Sequence, residues 1–335
     1  MLVVTGANGF LGSYVVCALL AKGHTVRALR RSGASMAEFN SIATESFGNA
    51  LETQLKALHW EEADLSDVLS LDRVFKGAEM VFHCAAVVSF KGDRKLLMKV
   101  NAEGTANVVN ACLHAGVHKL VYASSTAALG RTDAQKPITE DTHWTDDANN
   151  TVYAESKHLA ELEVWRGVEE GLNAVIVNPG IILGAGLWDK GSCRLFSSLH
   201  RGLRYYTRGV NGFVGVKDVA EIMCGLAFSN ASAQRFLLVA ENLSYQALFE
   251  MMAKGLGKKM PGIEIKPAWL PWISVFFKLN SFFNPKSNLS AETLRTALKQ
   301  HHYDSSRIRT LGYTLTPIAD VVAETCSLYL KQEKH

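Results

Sequence analysis

The chain has 335 residues, 48% of them hydrophobic and 20% charged, which excludes wholesale disorder and leaves ample length for a sizeable core. A formal net charge of +3 is close to neutral over that length, and with no basic block it gives no expectation of a nucleic-acid partner. The six cysteines are dispersed without a Cys-x-x-Cys pair, so they read as reduced thiols, and no metal is expected.

In chain order, strands are predicted at Leu2–Thr5, Thr25–Leu29, Ala57–Glu62, Met80–Cys84, Leu120–Ser124 and Ala174–Asn178. Helices are predicted between them at Leu11–Ala21, Ser66–Phe75, Ala102–Ala115 and Tyr153–Glu170. Near-continuously apolar strands alternating with helices imply an α/β, Rossmann-type doubly wound parallel sheet covered on both faces. Ser32–Lys56 reads as a partly helical insertion near the adenine end of such a fold. Beyond residue 180 the alternation weakens, and Leu195–Tyr206, Ala268–Phe283 and Ser290–Gln300 read as parts of a smaller, mainly helical substrate lobe. The expected division is therefore 1–180 and 181–335, with a strand at Phe213–Val216 returning to the main sheet. No apolar run reaches about 18 residues, so no membrane span is expected. The N-terminal segment also lacks the pattern of a secretory signal, which makes the cytoplasm the expected location.

Thr5-Gly6-Ala7-Asn8-Gly9-Phe10-Leu11-Gly12 joins the first strand to the first helix. Glycines there permit a tight turn and close approach of backbone to a pyrophosphate, which would rest on the helix N-terminus at Phe10, Leu11 and Gly12. The position of the motif directly after a strand points to a dinucleotide. The second strand ends Val26-Arg27-Ala28-Leu29-Arg30-Arg31-Ser32, with no carboxylate expected in reach to hold a free ribose 2′-hydroxyl. Arg30 and Arg31 instead suit a 2′-phosphate, which favours NADP(H) over NAD(H); a solvated basic strand end is the plainer alternative. Asp64 and Leu65 fit either a contact at the adenine edge or the cap of the following helix.

Tyr153 and Lys157 stand one turn apart on one helix face. An ammonium near a phenol favours the phenolate and makes tyrosine usable as an acid or base near neutral pH. Two further segments strengthen a catalytic reading. Ser124-Ser125-Thr126 places hydroxyls at the carboxyl end of a parallel strand, where such sheets bind ligands. The preceding strand ends in His83-Cys84-Ala85-Ala86, and small residues such as Ala85 and Ala86 let a cofactor lie flat against the backbone.

The glycine turn, Asp64-Leu65, His83-Cys84-Ala85-Ala86, Asn101-Ala102-Glu103-Gly104-Thr105, Ser124-Ser125-Thr126, Tyr153-x-x-x-Lys157 and Asn178-Pro179-Gly180 occur in order. That series resembles the extended short-chain dehydrogenase/reductase family, closest to dihydroflavonol-reductase-like and 3β-hydroxysteroid-dehydrogenase-like members. Tyr303-Asp304-Ser305-Ser306-Arg307 and Leu311-Gly312-Tyr313 extend the likeness over essentially the whole chain. The resemblance implies that Tyr153 protonates a carbonyl oxygen or deprotonates an alcohol, and that Lys157 lowers the tyrosine pKa and bonds the nicotinamide ribose. It implies that Ser125, or less directly Thr126, polarises the substrate oxygen, and that Ser124, Pro179 and Gly180 border the cofactor. Relatives often dimerise through the helices at Ala102–Ala115 and Tyr153–Glu170, so a homodimer is an expectation.

Thr126 and Ala127 stand where dehydratases of that family carry an acidic pair, which argues against dehydration. Trp188, Phe196, Phe213, Trp269, Trp272 and neighbouring aromatics favour a hydrophobic ketone or alcohol, whereas Arg194, Arg201, Arg204 and Arg208 are either a diphosphate clamp or a solvated face. Two other classes remain open at this level. One is a nucleotide-sugar epimerase with a retained nicotinamide, and the other is a non-catalytic NADP(H)-sensing module.

Overall fold

Short runs rich in β-branched residues and buried on both sides form the centre of the molecule, a computed structural model that describes residues 1–48, 53–88, 93–131, 136–147, 150–270 and 291–333. The strands are β1 (Leu2–Thr5), β2 (Val26–Arg30), β3 (Leu58–Glu62), β4 (Met80–His83), β5 (Lys119–Ala123), β6 (Ala174–Pro179), β7 (Ile181–Leu183), β8 (Tyr205–Tyr206), β9 (Val210–Gly215), β10 (Gln234–Leu238), β11 (Glu241–Ser244) and β12 (Ile263–Glu264). The helices used below are α1 (Phe10–Ala21), α2 (Ala37–Ile42), α3 (Val68–Phe75), α4 (Arg94–Leu97), α5 (Gly104–Ala115), α6 (Val152–Glu169), α7 (Cys193–His200), α8 (Val216–Ala227) and α9 (Tyr245–Leu256).

Seven strands pair in parallel in the order β10-β6-β5-β4-β1-β2-β3. Because side chains alternate along a strand, each strand serves both faces. Val3, Val81, Leu120 and Tyr122 pack with α3, α5 and α6, while Val4, Phe82 and Val121 pack with α1 and α8. The strand order reverses between β1 and β4, and a crevice at the carboxyl ends of the strands on either side of such a point is where doubly wound sheets bind ligands.

The strand expected to return to the main sheet does not do so. Val210–Gly215 is the middle of a separate three-stranded sheet, β11-β9-β7, and the seventh place in the main sheet goes to Gln234–Leu238. The cause lies at the end of β6. After Gly180, whose amide still bonds the Leu238 carbonyl at 3.0 Å, the chain continues directly into β7. β9 pairs with that extension, so it joins the lobe.

The lobe has its own core, in which Phe196, Phe213, Leu248, Met252, Val322 and Tyr329 are buried and Trp188 is packed against them. Those aromatics are therefore structural. Tyr205 and Trp269 are exposed, and Trp272, Phe276, Phe277 and most of the expected element at 268–283 lie outside the described residues, as does Ser290. Arg201, Arg204 and Arg208 are exposed, and Arg208 pairs with Glu264, as a solvated face would. The expected insertion holds α2, a π-helical turn at Ala43–Phe47 and a 3-10 turn at Gln54–Ala57, and anchors itself through buried Phe39 and Ile42. No helix among the described residues is long and apolar enough to cross a membrane.

One polar side chain fastens α8 to the sheet. Lys119 opens β5 almost fully buried, and its ammonium donates to the carbonyls of Leu226, Ser229 and Ala231 at 3.3, 2.6 and 2.8 Å. These belong to the C-terminal end of α8 and the turn after it, where carbonyls have no helical partner and a cation is favoured. Lys119→Met is expected to cost about 2–3 kcal/mol by stranding those carbonyls. Urea unfolding of the two proteins checks this, and an unchanged midpoint would contradict it.

Candidate active site

The glycine turn is built by contacts that only glycine permits. Gly6 has φ +64°, and a Cβ there would lie 2.7 Å from the Ala85 backbone. A Cβ on Gly12 would collide with the Gly6 carbonyl oxygen. The turn closes through the Gly9 amide onto that same oxygen at 3.0 Å. α1 starts at Phe10 with no side-chain cap, so amides of its first turn remain available. Ser13 braces the turn from below through its hydroxyl to the Ala7 and Gly9 carbonyls. A close-packed glycine cradle opening on uncapped helix amides fits a dinucleotide pyrophosphate.

Beyond the ends of β2 and β3 an open groove of about 570 Å³ is lined by Arg31, Ser32, Gly33, Ala34, Glu62, Ala63, Asp64, Asp67, Ser70 and Arg73. Here the expectation that no carboxylate lies near the arginines is corrected. In the β2–β3 register Arg30 faces Glu62, with guanidinium and carboxylate 3.5 Å apart. Arg30 is thus drawn partly into the protein, and its buried Nε has no partner among the described residues. Arg31 is exposed on the groove. Arg73, not singled out from the sequence, also lines it and holds the Glu62 carbonyl at 2.8 Å. Asp64 accepts from the Ser66 amide and hydroxyl at 2.8 and 2.6 Å, which holds its carboxyl below the usual range. It therefore organises its own turn, while Asp67 caps α3. Leu65 packs under Gly104, and its carbonyl accepts from Asn107.

At the carboxyl end of β5 the predicted trio comes together. Thr151 caps α6, which sets Tyr153 in the first turn and Lys157 in the next. Tyr153 is hydrogen-bonded to the Ser125 hydroxyl, which offsets part of the upward push that burial exerts on the phenol. Ser125 also accepts from the Ala127 amide at 3.1 Å. Lys157 is 1% exposed, and burial pulls its ammonium down to about 7, against the opposing pull of Glu161. Its bonds run to the Tyr122 hydroxyl at 2.7 Å and the Ala123 carbonyl at 2.9 Å. The face expected from the four-residue spacing is right, but lysine and tyrosine are directed to different partners.

Around this trio lies a buried polar layer. Ser124 does not turn to the cofactor cleft: its hydroxyl donates to Glu161 at 2.7 Å. Glu161 also accepts from Asn178 and Arg235, each at 2.8 Å, and Asn178 in turn holds the Ser125 carbonyl at 3.0 Å. Asn101 bonds both backbone groups of Val87 and the Ser156 hydroxyl, tying the loop after β4 to α6. His83 is fully buried between Thr5 and Thr105, with 2.7 and 3.0 Å contacts. Gly180 owes its identity to packing, since a Cβ would strike the Gly212 carbonyl. No metal-binding group of His, Cys, Asp or Glu occurs among the described residues, and the cysteines are unpaired.

A sequence profile of the NAD dependent epimerase/dehydratase family matches residues 2–233. The chain belongs to this family. It is 30% identical over 336 residues to sterol demethylase protein B of Methylococcus capsulatus, with 96% of each chain covered. It is 27% identical to a putative dihydroflavonol 4-reductase of Synechocystis sp., covering 96% of this chain and 92% of the other. Cinnamoyl-CoA reductase 1 of Petunia hybrida is also 27% identical, with 96% and 90% covered. Among solved structures, gox2253 superposes with a TM-score of 0.81 at 28% identity over 99% of this chain and 98% of that one. MoeE5 in complex with UDP-glucose and NAD shares the fold, with a TM-score of 0.76 at 20% identity and 99% of both chains covered.

Members of the epimerase/dehydratase family bind a nicotinamide dinucleotide, and the extended short-chain reductase resemblance read from the motifs is borne out. Besides Arg73, the residues missed were Tyr122, Glu161 and Arg235, and Thr105 was read only as part of a motif. Only Glu161 left a usable signal, because it continues the face of Tyr153 and Lys157 by one more turn. His302 is exposed, and His301 is half-buried against Arg131.

Burial, aided by the Lys157 charge, pushes the His83 imidazole from 6.5 down to about 3. Between those values the unfolded chain takes up a proton that the folded one refuses, so this residue's contribution to stability is present above pH 6.5 and lost on acidification. His83→Gln is expected to be less stable at neutral pH and to lose less on going from pH 7 to about 4. Thermal melts across that range check it, and parallel pH slopes would contradict it.

Proposed function

We propose that this chain is an NADP(H)-dependent reductase or dehydrogenase acting between a carbonyl and an alcohol of a hydrophobic small molecule. The hydrogen-bonded Ser125/Tyr153 pair, set over Lys157 at the carboxyl end of β5, carries this proposal. Reductases among its relatives support the reaction class, since both the putative dihydroflavonol 4-reductase and cinnamoyl-CoA reductase 1 match along nearly the whole chain. Thr126 and Ala127 leave no acid beside the serine for a dehydration step.

When bound, the nicotinamide supplies the hydride that reduces the carbonyl carbon. Tyr153 gives its hydroxyl proton to the carbonyl oxygen as negative charge develops there. Ser125 accepts from the Ala127 amide, and the proton it shares with Tyr153 would turn to the same oxygen once a substrate enters. Lys157 has three N–H donors, two of them fixed on Tyr122 and Ala123. The third is available to a ribose hydroxyl, and the ammonium favours the tyrosinate left after proton transfer. Gly6, Gly9, Phe10, Leu11 and Gly12 would hold the pyrophosphate, with Ala85, Ala86, Pro179 and Gly180 bordering the rest of the dinucleotide. Arg31, with Arg30 and Arg73 near, would take the 2′-phosphate. Ser124 supports this set through Glu161, and residues 181–335 would supply most of the substrate lobe. α6 exposes Leu159 and Leu162 while Val109 and Val164 face the sheet, which suits a homodimer formed across α5 and α6.

Purified protein is expected to oxidise NADPH in the presence of at least one member of a panel of hydrophobic ketones, aldehydes and dihydroflavonols. Tyr153→Phe should lower kcat by about 10²–10⁴-fold. Arg31→Ala should weaken NADPH about 10–100-fold and leave NADH nearly unchanged. A folded sample that binds NADPH but turns over no carbonyl would overturn the reductase reading. Equal losses for both cofactors in Arg31→Ala would overturn the 2′-phosphate assignment alone.

A further inference from the structure

Lys157 and Glu161 lie one turn apart on α6, oppositely charged and both nearly inaccessible to solvent, yet they are not bonded to one another. Between them stand two hydroxyls from the same face of β5. Lys157 Nζ donates to the Tyr122 hydroxyl at 2.7 Å, and Ser124, two residues along the same side, donates to Glu161 Oε2 at 2.7 Å. The donor directions are forced at both ends. An ammonium can only donate and a carboxylate can only accept, so Tyr122 accepts from the lysine and Ser124 gives its proton to the glutamate. Both buried charges are thus met by hydroxyl groups, through charge-assisted hydrogen bonds that strengthen in a dry interior.

We propose that Tyr122 is a positioning residue for Lys157: its phenol oxygen is one of the two acceptors that hold the buried ammonium and so sets the pH at which Lys157 loses its proton. The proposal rests on the reading of Tyr153 and Lys157 as reacting groups only for its effect on turnover. The groups that face this lysine are Tyr122 from β5, His83 at the end of β4, Cys84 beyond it, and Tyr153 and Glu161 from its own helix. Arg235 from β10 bears on it through Glu161. Of these neighbours, His83 stays neutral above about pH 3 and Cys84 holds its proton to about 12, so neither changes charge near neutrality. The Tyr122 phenol, pushed well above its ordinary range by burial, also stays protonated. The tyrosine ring adds a second contact, with Lys157 Nζ 4.5 Å from its centroid, and it stacks on His83 at 5.3 Å. Tyr122→Phe keeps both ring contacts and deletes the phenol oxygen alone.

The test is a pH titration of the Lys157 ammonium by ¹⁵N NMR in the full chain, its signal identified by its loss in Lys157→Met. Tyr122→Phe is expected to lower the midpoint by about one unit or more, because the buried cation loses one of its two acceptors. Tyr122→Met removes the same oxygen and should shift the midpoint in the same direction, and it serves as the second variant should Tyr122→Phe not fold. In oxidation of the alcohol formed from an active member of the panel, the acidic limb of the kcat profile should move upward in Tyr122→Phe with KM unchanged. A lower melting temperature with an unmoved Lys157 midpoint in either variant would show a merely structural hydroxyl and overturn the proposal. A shifted midpoint together with an active Lys157→Met enzyme would uphold the coupling and overturn the catalytic reading instead.

Discussion

A cation held out of water must be given acceptors, and the region where β5 meets α6 is organised by that requirement. Desolvating an ammonium or a carboxylate costs several kcal/mol even in a relaxed protein. The chain buries one of each on a single helix, at Lys157 and Glu161. Their needs are met by β5, which lends the Ala123 carbonyl and the hydroxyls of Tyr122 and Ser124, and by β6 and β10, which lend Asn178 and Arg235. The same bonds fix what lies one residue further along. Asn178 reaches both Glu161 and the Ser125 carbonyl, so the charged layer beneath the cleft also holds the serine that faces it.

This arrangement depends on strands that are apolar on both faces. Val121 and Ala123 serve the side of α1 and α8, leaving Leu120 and Tyr122 to the side of α5 and α6. A one-residue change of register would send the Tyr122 hydroxyl to the wrong face. The register is held by β4 on one side and β6 on the other, and by Lys119, which locks the start of β5 to the end of α8.

Much of the frame was legible in the sequence because its signals are local. A glycine turn directly after a β-branched run, tyrosine and lysine four apart, and hydroxyls at a strand end each describe a few neighbouring residues. What escaped notice depends on partners distant in sequence. Glu62 reaches Arg30 only because β2 and β3 are paired in a particular register. Ser124 looked like a cleft residue by position, but its hydroxyl turns inward to a glutamate 37 positions away. Gln234–Leu238 is a five-residue run with two polar members, too short and too mixed to announce a sheet strand, and its pairing with β6 is what makes it one. Phe213–Val216 had the stronger local signal and belongs to the other sheet.

The passage from β6 through Gly180 into β7 has a consequence for how such a molecule can diversify. The chain runs from one sheet into the other across one glycine, which packs on the Gly212 backbone, and it crosses again between β10 and β11. A lobe attached in this way is not an exchangeable module. It cannot be cut away and replaced by another without disturbing β6 and β10, the last two strands of the main sheet. New substrate preferences must therefore arise by resurfacing loops and helices on a fixed frame, with the seam between the sheets kept intact.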